Sequence, residues 1–315
     1  MRITRPVLEL SHVIGIKGMK EQDIQKILEY SAEIKHNPSK YSSNLKEKIL
    51  GIAFWEPSTR TRLSFESAMF RLGGRITGFS SAAGTSLEKG ESLSDTIHML
   101  AGYTDGIILR HPSRGSAKLA ARIADNYGVP IISGGSGSQE HPTQALLDIF
   151  TINEQFNCLS GLTIGMMGDL RYSRTISSLL FALSIFGRNK IYLLSHPLLG
   201  LHEELKFDLE STQLELNESF DKLTDIIEEL DVLYVTRLQK ERFPDPFLYE
   251  KVKGAFTLSP SIMKAVKPDL IIMHPLPRVD EIPYEVDKTK HAQYFRQALN
   301  GVYVRMAILD SLLGE

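Results

Sequence analysis

Cysteine is almost absent from the sequence, since Cys158 is the only one among 315 residues. A lone cysteine can form neither an internal disulfide nor a cysteine-based zinc cluster. Groupings of histidine and acidic residues typical of a metal site are also missing, so we expect no metal. A chain without disulfides suits a reducing compartment, and we expect a cytoplasmic protein.

Long hydrophobic runs are missing as well. No stretch approaches the ~20 apolar residues of a membrane-spanning helix, and the first fifteen residues lack the apolar core of a signal peptide. Charge of one sign is not in excess either, because 36 Lys and Arg face 38 Asp and Glu. This balance gives no general reason to expect nucleic acid or a membrane as partner, so any anion-binding site must be local.

Apolar, strand-like runs alternate with amphipathic, helix-like segments along the chain. Strands are predicted at 49–55, 106–109, 129–132, 162–167, 190–194, 232–236 and 270–273. Helices are predicted at 60–72, 118–127, 143–154, 175–186, 223–230 and 291–313, the last with an interruption near Asn300-Gly301. The alternation predicts an α/β protein of two domains, each a parallel β-sheet flanked by helices. We expect them at 1–142 and 143–291, with a C-terminal helix at 292–315 packing back on the first.

A polar cluster, Ser58-Thr59-Arg60-Thr61, follows the first predicted strand and opens the next helix. Ligands of parallel sheets lie beyond the carboxyl ends of the strands. A helix N-terminus binds anions through its free amides, and Arg60 can add a two-pronged contact to phosphate. Ordinary N-capping by Ser58 is the alternative. The Gly-Lys-Ser/Thr sequence of a P-loop is lacking.

Three more groups in the first half carry polar side chains suited to an anionic ligand. Arg110 directly follows a predicted strand. His141 and Gln144 are three residues apart in the first turn of a predicted helix, so they share one side. A neutral His141 could donate to a carbonyl oxygen, with structural packing as the competing interpretation. Lys89, with Ser86, lies on a glycine-flanked loop and could close over an anion, unless it is merely solvated.

Basic residues also follow the strands of the second half. Arg174, at a helix start after the strand 162–167, suits a carboxylate ligand, whereas the G-x-G-x-x-G spacing of nicotinamide enzymes is absent there. Arg237 and Gln239 follow the strand 232–236. In His274-Pro275-Leu276-Pro277-Arg278, two prolines fix the backbone and favour a cis bond.

These segments, taken together, resemble those of the aspartate carbamoyltransferases, in the aspartate/ornithine carbamoyltransferase family. The matching segments, in family order from about residue 50 to the end, are FWEPSTRTRLSFE, KGESLSDT, HPTQALLDIFTI, GDLRYSRT, TRLQKER and HPLPRVDE. The resemblance implies cofactor-free transfer of a carbamoyl group from carbamoyl phosphate to L-aspartate, in pyrimidine biosynthesis. The first domain would bind carbamoyl phosphate and the second aspartate. The chain departs from the family at Trp55, often Phe or Tyr, and at Glu140, commonly Gln.

The resemblance also implies a role for each candidate residue. The residues that would contact carbamoyl phosphate are Ser58, Thr59, Arg60, Thr61, Ser86, Arg110, His141, Gln144, Leu276 and Pro277. Those that would hold aspartate are Lys89, Arg174, Arg237, Gln239 and Leu276. The catalytic residues would be Arg60, Thr61, Lys89, Arg110 and His141, of which Thr61, Arg110 and His141 polarise the carbonyl oxygen. The family forms homotrimers with shared sites, in which Ser86 and Lys89 come from the neighbouring subunit, and a regulatory chain or a dihydroorotase is a further candidate partner.

Three other functions compete with this one, and the third, a nicotinamide dehydrogenase, lacks the G-x-G-x-x-G fingerprint. An ornithine carbamoyltransferase would typically carry Cys at the position of Leu276, and Arg237 would repel a cationic acceptor. A non-catalytic anion-binding module on the same fold would be indicated by loss of Arg60, Lys89 or His141, and all three are present.

Overall fold

The computed structural model describes residues 5–137, 140–219, 223–238, 246–252, 256–259 and 261–314. Its strands are β1 Ile49–Phe54, β2 Arg75–Phe79, β3 Gly106–His111, β4 Ile131–Ser136, β5 Thr163–Met167, β6 Asn189–Leu194, β7 Leu214–Ser219, β8 Val232–Val235 and β9 Ile271–Met273. Its α-helices are α1 Glu21–His36, α2 Thr59–Arg71, α3 Leu93–Tyr103, α4 Ser116–Ala124, α5 Pro142–Phe156, α6 Arg174–Ile185, α7 Glu203–Glu210, α8 Pro246–Val252 and α9 Tyr294–Leu313. Contacts divide the chain into two units, Met1–Phe150 with Leu299–Glu315, and Thr151–Ala298.

The first unit contains a four-stranded sheet in the order β2-β1-β3-β4. All its pairs are parallel, and Ile52 of β1 lies opposite Ile108 of β3. Helices α3 and α4 cover the sheet with buried side chains such as Ile97 and Ala120. Because parallel strands end at the same edge, the residues after β1, β3 and β4 lie together.

The second unit contains a five-stranded sheet in the order β7-β6-β5-β8-β9. Every pair is again parallel. Gly168, just after β5, has φ +117°, and a Cβ there would lie 2.2 Å from the carbonyl oxygen of Thr236. Glycine therefore lets the ends of β5 and β8 approach closely. Both sheets confirm the predicted α/β fold.

The end of α9 packs on the rest of the first unit, as predicted for the C-terminal helix. Asp310 is fully buried and accepts hydrogen bonds from Arg5 Nε at 3.2 Å and Asn44 Nδ2 at 2.7 Å. The Tyr30 hydroxyl donates to the same carboxylate. A buried carboxylate is tolerated when donors surround it in this way.

Two predicted features of the helices are wrong. α9 runs without interruption through Asn300 and Gly301. A Cβ at Gly301 would lie 2.4 Å from Arg305 Nη1, so this glycine makes room for a guanidinium and breaks no helix. The segment 223–230 forms a 3-10 helix, Leu223–Asp225, and turns, and its apolar side chains are buried in the core without a regular α-helix. A search of the described residues finds no helix with the length and apolar character to span a membrane.

Candidate active site

The first helix of the candidate site begins directly after a buried strand. Thr59 opens α2, and Ser58 occupies the N-cap position in an extended conformation. The Ser58 side chain makes no capping hydrogen bond, in contrast to the capping alternative. Thr61 is buried, whereas Thr59 and Arg60 are exposed. The first turn thus offers amides, hydroxyls and a guanidinium to an anion.

Arg110 is held in place at the end of β3. Its side chain is buried, and Nη1 donates to the carbonyl oxygen of Gly134 at 2.9 Å. Nη2 lies 3.6 Å from a carboxylate oxygen of Glu56. These partners offset the desolvation of the cation and fix the direction of the guanidinium.

His141 lies beside Thr61 although 80 residues separate them. Thr61 Oγ1 is 3.4 Å from His141 Nε2, and both residues are buried. A Cβ on Gly134 would lie 3.4 Å from Thr61 Cγ2, so Thr61 also adjoins the glycine that Arg110 contacts. The structure therefore brings together Thr61, Arg110 and His141, the three residues that the family resemblance groups. His141 precedes α5, and its carbonyl accepts the N–H groups of Gln144 and Ala145.

Gln144 follows in the first turn of α5. It is half-buried, and its Nε2 donates to Asp148 Oδ1 at 2.9 Å. Asp148 is fully buried and was missed in the sequence, although its spacing of four from Gln144 on a helix predicts contact.

Ser86 and Lys89 are the two ends of a short 3-10 helix, Ser86–Lys89. Both residues are exposed, and the Ser86 hydroxyl donates to the Glu91 carboxylate. Among the residues that the structure describes, none forms a hydrogen bond or ion pair with the side-chain ammonium group of Lys89. The described chain thus does not join Lys89 to the cluster of Thr61, Arg110 and His141 by such a contact.

In the second unit, Arg174 and Arg237 lie on the segments that follow two paired strands, β5 and β8. Arg174 is the first residue of α6, after β5, and Arg237 follows β8, which pairs with β5. Asp169 contacts both the segment before α6 and the end of β8. Its side chain accepts the Tyr172 N–H at 2.9 Å, and its carbonyl oxygen lies 3.3 Å from Thr236 Oγ1. Gln239, the remaining predicted residue of this group, lies outside the described residues.

The loop after β9 carries Leu276 and Pro277 and is held by a buried histidine. The Leu276–Pro277 bond is cis, as the prolines predicted. His274 Nδ1 accepts the Leu276 N–H at 2.8 Å, so the ring proton resides on Nε2, which donates to Glu281 Oε1 at 2.7 Å.

Glu281 completes this arrangement from the other end of the loop. Its second carboxylate oxygen accepts the amides of Val279 and Asp280, each at 3.1 Å. Burial raises the pKa of the Glu281 carboxyl, but the hydrogen bond from His274 and the backbone amides outweigh burial and hold that pKa below its ordinary value. Nothing in the sequence pattern singled out this His-Glu pair.

A small cavity of about 170 Å³ lies beside this loop. It is lined by Thr236, Arg237, Leu238, Tyr249, Phe256, Val279, Asp280 and Glu281. Arg237 and Glu281, whose carboxylate holds the Leu276 loop, therefore line the same cavity.

The two departures from the family pattern have defined surroundings. Trp55 makes edge contacts with Phe79 and His111, with ring centroids 5.0 Å apart in each pair. Burial lowers the pKa of His111.

The Glu140 carboxylate accepts a hydrogen bond from the amide of Ile16, and one from the amide of Lys17 at 3.2 Å. Burial raises the pKa of Glu140, and these amides oppose the change.

The comparisons with known proteins agree along the whole chain. Residues 11–154 match the aspartate/ornithine carbamoyltransferase, carbamoyl-P binding domain, and residues 160–312 match the Asp/Orn binding domain of the same family. The chain is 49% identical over 304 residues to the aspartate carbamoyltransferase catalytic subunit of Thermococcus kodakarensis, covering 96% of each.

Solved structures give the same result. The catalytic subunit of M. jannaschii aspartate transcarbamoylase is 45% identical, with a TM-score of 0.88, over 96% of this chain and 98% of that one. Aspartate transcarbamoylase from Trypanosoma cruzi, in complex with carbamoyl phosphate and aspartate, is 33% identical, with a TM-score of 0.90, over 99% of this chain and 100% of that one.

Proposed function

Because this chain belongs to the aspartate/ornithine carbamoyltransferase family, we propose that the residues described above carry out carbamoyl transfer to L-aspartate. The chain is a carbamoyltransferase that converts carbamoyl phosphate and aspartate into N-carbamoyl-L-aspartate and phosphate, a reaction of pyrimidine biosynthesis. Three observations favour aspartate over ornithine as the acceptor. The relatives that this chain matches are aspartate carbamoyltransferases. The chain has Leu276 where an ornithine enzyme would typically have Cys, and Arg237 would repel a cationic acceptor.

The first unit is the proposed site for carbamoyl phosphate. The amides and hydroxyls at the start of α2, from Ser58, Thr59 and Thr61, suit phosphate oxygens, and Arg60 adds charge. The buried cluster of Thr61, Arg110 and His141 is the single observation that supports this assignment most strongly, because three donors converge there. Gln144 would accept from the carbamoyl amide.

The same three donors explain the chemistry. The aspartate amine attacks the carbamoyl carbon, forming the new C–N bond, and negative charge develops on the carbonyl oxygen. Donors fixed before the reaction stabilise that charge without reorganising. The C–O bond to phosphate then breaks, and the departing phosphate can take the proton that the amine must lose. The protein therefore contributes to the reaction by positioning the two substrates and by stabilising the charge on the carbonyl oxygen.

The second unit is the proposed site for aspartate. Arg174 opens α6 after β5, and Arg237 follows the adjacent strand β8, so each can pair with one carboxylate. Gln239 would support Arg237. The carbonyls of Leu276 and Pro277, on the loop that His274 and Glu281 hold, would accept N–H groups of the ligands.

We further propose that the active unit is a cyclic homotrimer with shared sites. The exposure of Ser86 and Lys89, and the lack of a hydrogen bond or ion pair to the Lys89 ammonium group from the described part of its own chain, support their use by a neighbouring subunit. A regulatory chain or a dihydroorotase is the further partner that we propose for the trimer, and co-purification from the native source tests this.

The reaction is tested with purified protein, carbamoyl phosphate and either aspartate or ornithine, without added cofactor. We expect N-carbamoyl-L-aspartate and an equal amount of phosphate, with ornithine giving no more than the uncatalysed rate. Preference for ornithine, or phosphate release without carbamoylaspartate, would refute the assignment.

A further inference from the structure

The amide of Gln144 is oriented by a buried carboxylate one turn along α5. Gln144 Nε2 donates to Asp148 Oδ1 at 2.9 Å, and Asp148 is fully buried. An ionised carboxylate can only accept hydrogen bonds, so it selects the NH2 end of the amide and turns Gln144 Oε1 away. No hydrogen bond to Oε1 occurs within the part of the chain that the structure describes. That oxygen is thus left to accept an N–H from a ligand.

A buried cation from α9 supports the charge on Asp148. Arg305 is 3% exposed, and burial lowers its pKa to about 10, while the Asp148 carboxylate acts to raise it. The guanidinium is therefore protonated at neutral pH, and it favours the ionised form of Asp148.

Arg305 also contacts the beginning of α5 directly. Its Nη2 donates to Thr143 Oγ1 at 3.3 Å, and its guanidinium lies 4.9 Å from the centroid of the Phe65 ring. Gly301 leaves the space that the guanidinium occupies. The turn that carries Gln144 is consequently fixed by α9 as well as by its own helix.

We propose that Asp148 is a positioning residue for substrate selection, which makes the site prefer an acyl phosphate bearing N–H groups over one bearing a methyl group. This inference rests on the proposed function, because Gln144 must face the acyl group. Carbamoyl phosphate and acetyl phosphate have nearly the same shape, but only the former can donate to Gln144 Oε1. A methyl group there leaves a polar oxygen desolvated and unsatisfied, so we expect a preference of about 10- to 100-fold.

The test is the Asp148→Asn variant, which keeps the shape of the side chain. An amide at this position can donate or accept, so Gln144 is no longer held in one orientation. We expect affinity for carbamoyl phosphate to fall by about 10-fold or more, while affinity for acetyl phosphate changes by less than about threefold. Affinities are measured by calorimetry and by competitive inhibition. Asp310→Asn is the matched control, since Asp310 is equally buried in the same unit, and it should leave the ratio of the two affinities unchanged.

A double-mutant cycle separates positioning from general structural damage. Gln144→Leu should lose the same preference, and adding Asp148→Asn to it should lower the preference no further. Equal weakening of both ligands in Asp148→Asn, or no weakening of either, would overturn the inference. If Asp148→Asn does not fold, retention of the wild-type preference by Gln144→Leu overturns it. A wild-type protein that does not carbamoylate aspartate would instead refute the proposed function.

Discussion

Replacing Glu281 with Gln tests how the Leu276 loop is held. The carboxylate accepts from His274 Nε2 on one oxygen and from two backbone amides on the other. A Gln side chain has only one acceptor oxygen. Its NH2 group would therefore face either the N–H of His274 or the two backbone amides, which are all donors. We therefore expect the loop to lose at least one charge-assisted hydrogen bond and to gain a clash between donors.

The magnitude follows from these contacts. His274 is 1% exposed and Glu281 is 9% exposed, so solvent cannot replace the lost acceptor readily. Hydrogen bonds to charged groups contribute about 1.5–3 kcal/mol each, and a buried donor left without an acceptor costs about 1–3 kcal/mol. Since the Gln oxygen can still accept from either His274 or the two backbone amides, part of the hydrogen bonding is kept. We therefore expect Glu281→Gln to destabilise the protein by about 2–4 kcal/mol.

The assay combines urea unfolding with steady-state kinetics. Glu285→Gln is the control, because Glu285 is exposed on the neighbouring 3-10 helix, Tyr284–Lys288. We expect Glu281→Gln to raise the KM for both substrates, since the carbonyls of Leu276 and Pro277 would no longer be held in place. Wild-type stability and KM values in Glu281→Gln would refute the reasoning.

The same carboxylate makes a pH-dependent contribution to stability. Its pKa is lowered in the folded state, so the folded state binds fewer protons than the unfolded state below the ordinary value of 4.5. The contribution is therefore present above that value and is lost as the pH falls through the folded pKa. Wild type should lose more stability than Glu281→Gln over that acidic range.

Further outcomes are expected at other positions. Arg237→Ala should weaken aspartate binding by several kcal/mol if the ion pair is desolvated, with carbamoyl phosphate binding nearly unchanged; calorimetry showing equal loss of both would contradict the division of roles. His141→Ala should lower kcat by ~10²–10³ with the fold retained, and a normal kcat would return His141 to a structural role. Burial raises the pKa of Glu140, so stability of wild type relative to Glu140→Gln should fall as the pH rises above the ordinary value of 4.5; parallel unfolding curves across pH would argue against this. Inactive Lys89→Ala and Arg60→Ala chains, dissociated and reassociated together in equal amounts, should recover about a quarter of wild-type activity per site, because one site in each mixed trimer is intact; background activity after proven exchange would place Lys89 in its own chain's site.

The sheets were predictable where strands are buried on both faces. β1, β3, β5 and β8 carry nearly continuous apolar runs, and the structure places each of them inside its sheet. β2 and β7 were missed because they are edge strands with few apolar residues, as in Leu214–Ser219, where only Leu214 and Leu216 are apolar. An edge strand is specified by its neighbour's hydrogen bonds as much as by its own side chains.

The candidate site residues could be picked out in the sequence because they follow strands or open helices. The structure brings three of them, Thr61, Arg110 and His141, close together. The residues that orient them could not be found in the same way. His274 and Glu281 meet only because of the path of the loop, and the role of Gly301 depends on a side chain four residues later.

A common arrangement links the orienting residues of the two units. Glu56 faces Arg110, Asp148 holds Gln144, and Glu281 holds His274. Each carboxylate can only accept, so each fixes the direction of a donor or, for Gln144, the end of the amide that remains for the ligand. Arg110, the cation among these three partners, would otherwise bear a desolvation cost without the carboxylate of Glu56. In a chain with a net charge of -2, the positive charge that the proposed site needs is local, and at Arg110 it is balanced by the carboxylate of Glu56. The same reasoning predicts that Glu56, Asp148 and Glu281 matter for the proposed reaction, because each contacts a candidate binding residue or the histidine that holds the Leu276 loop.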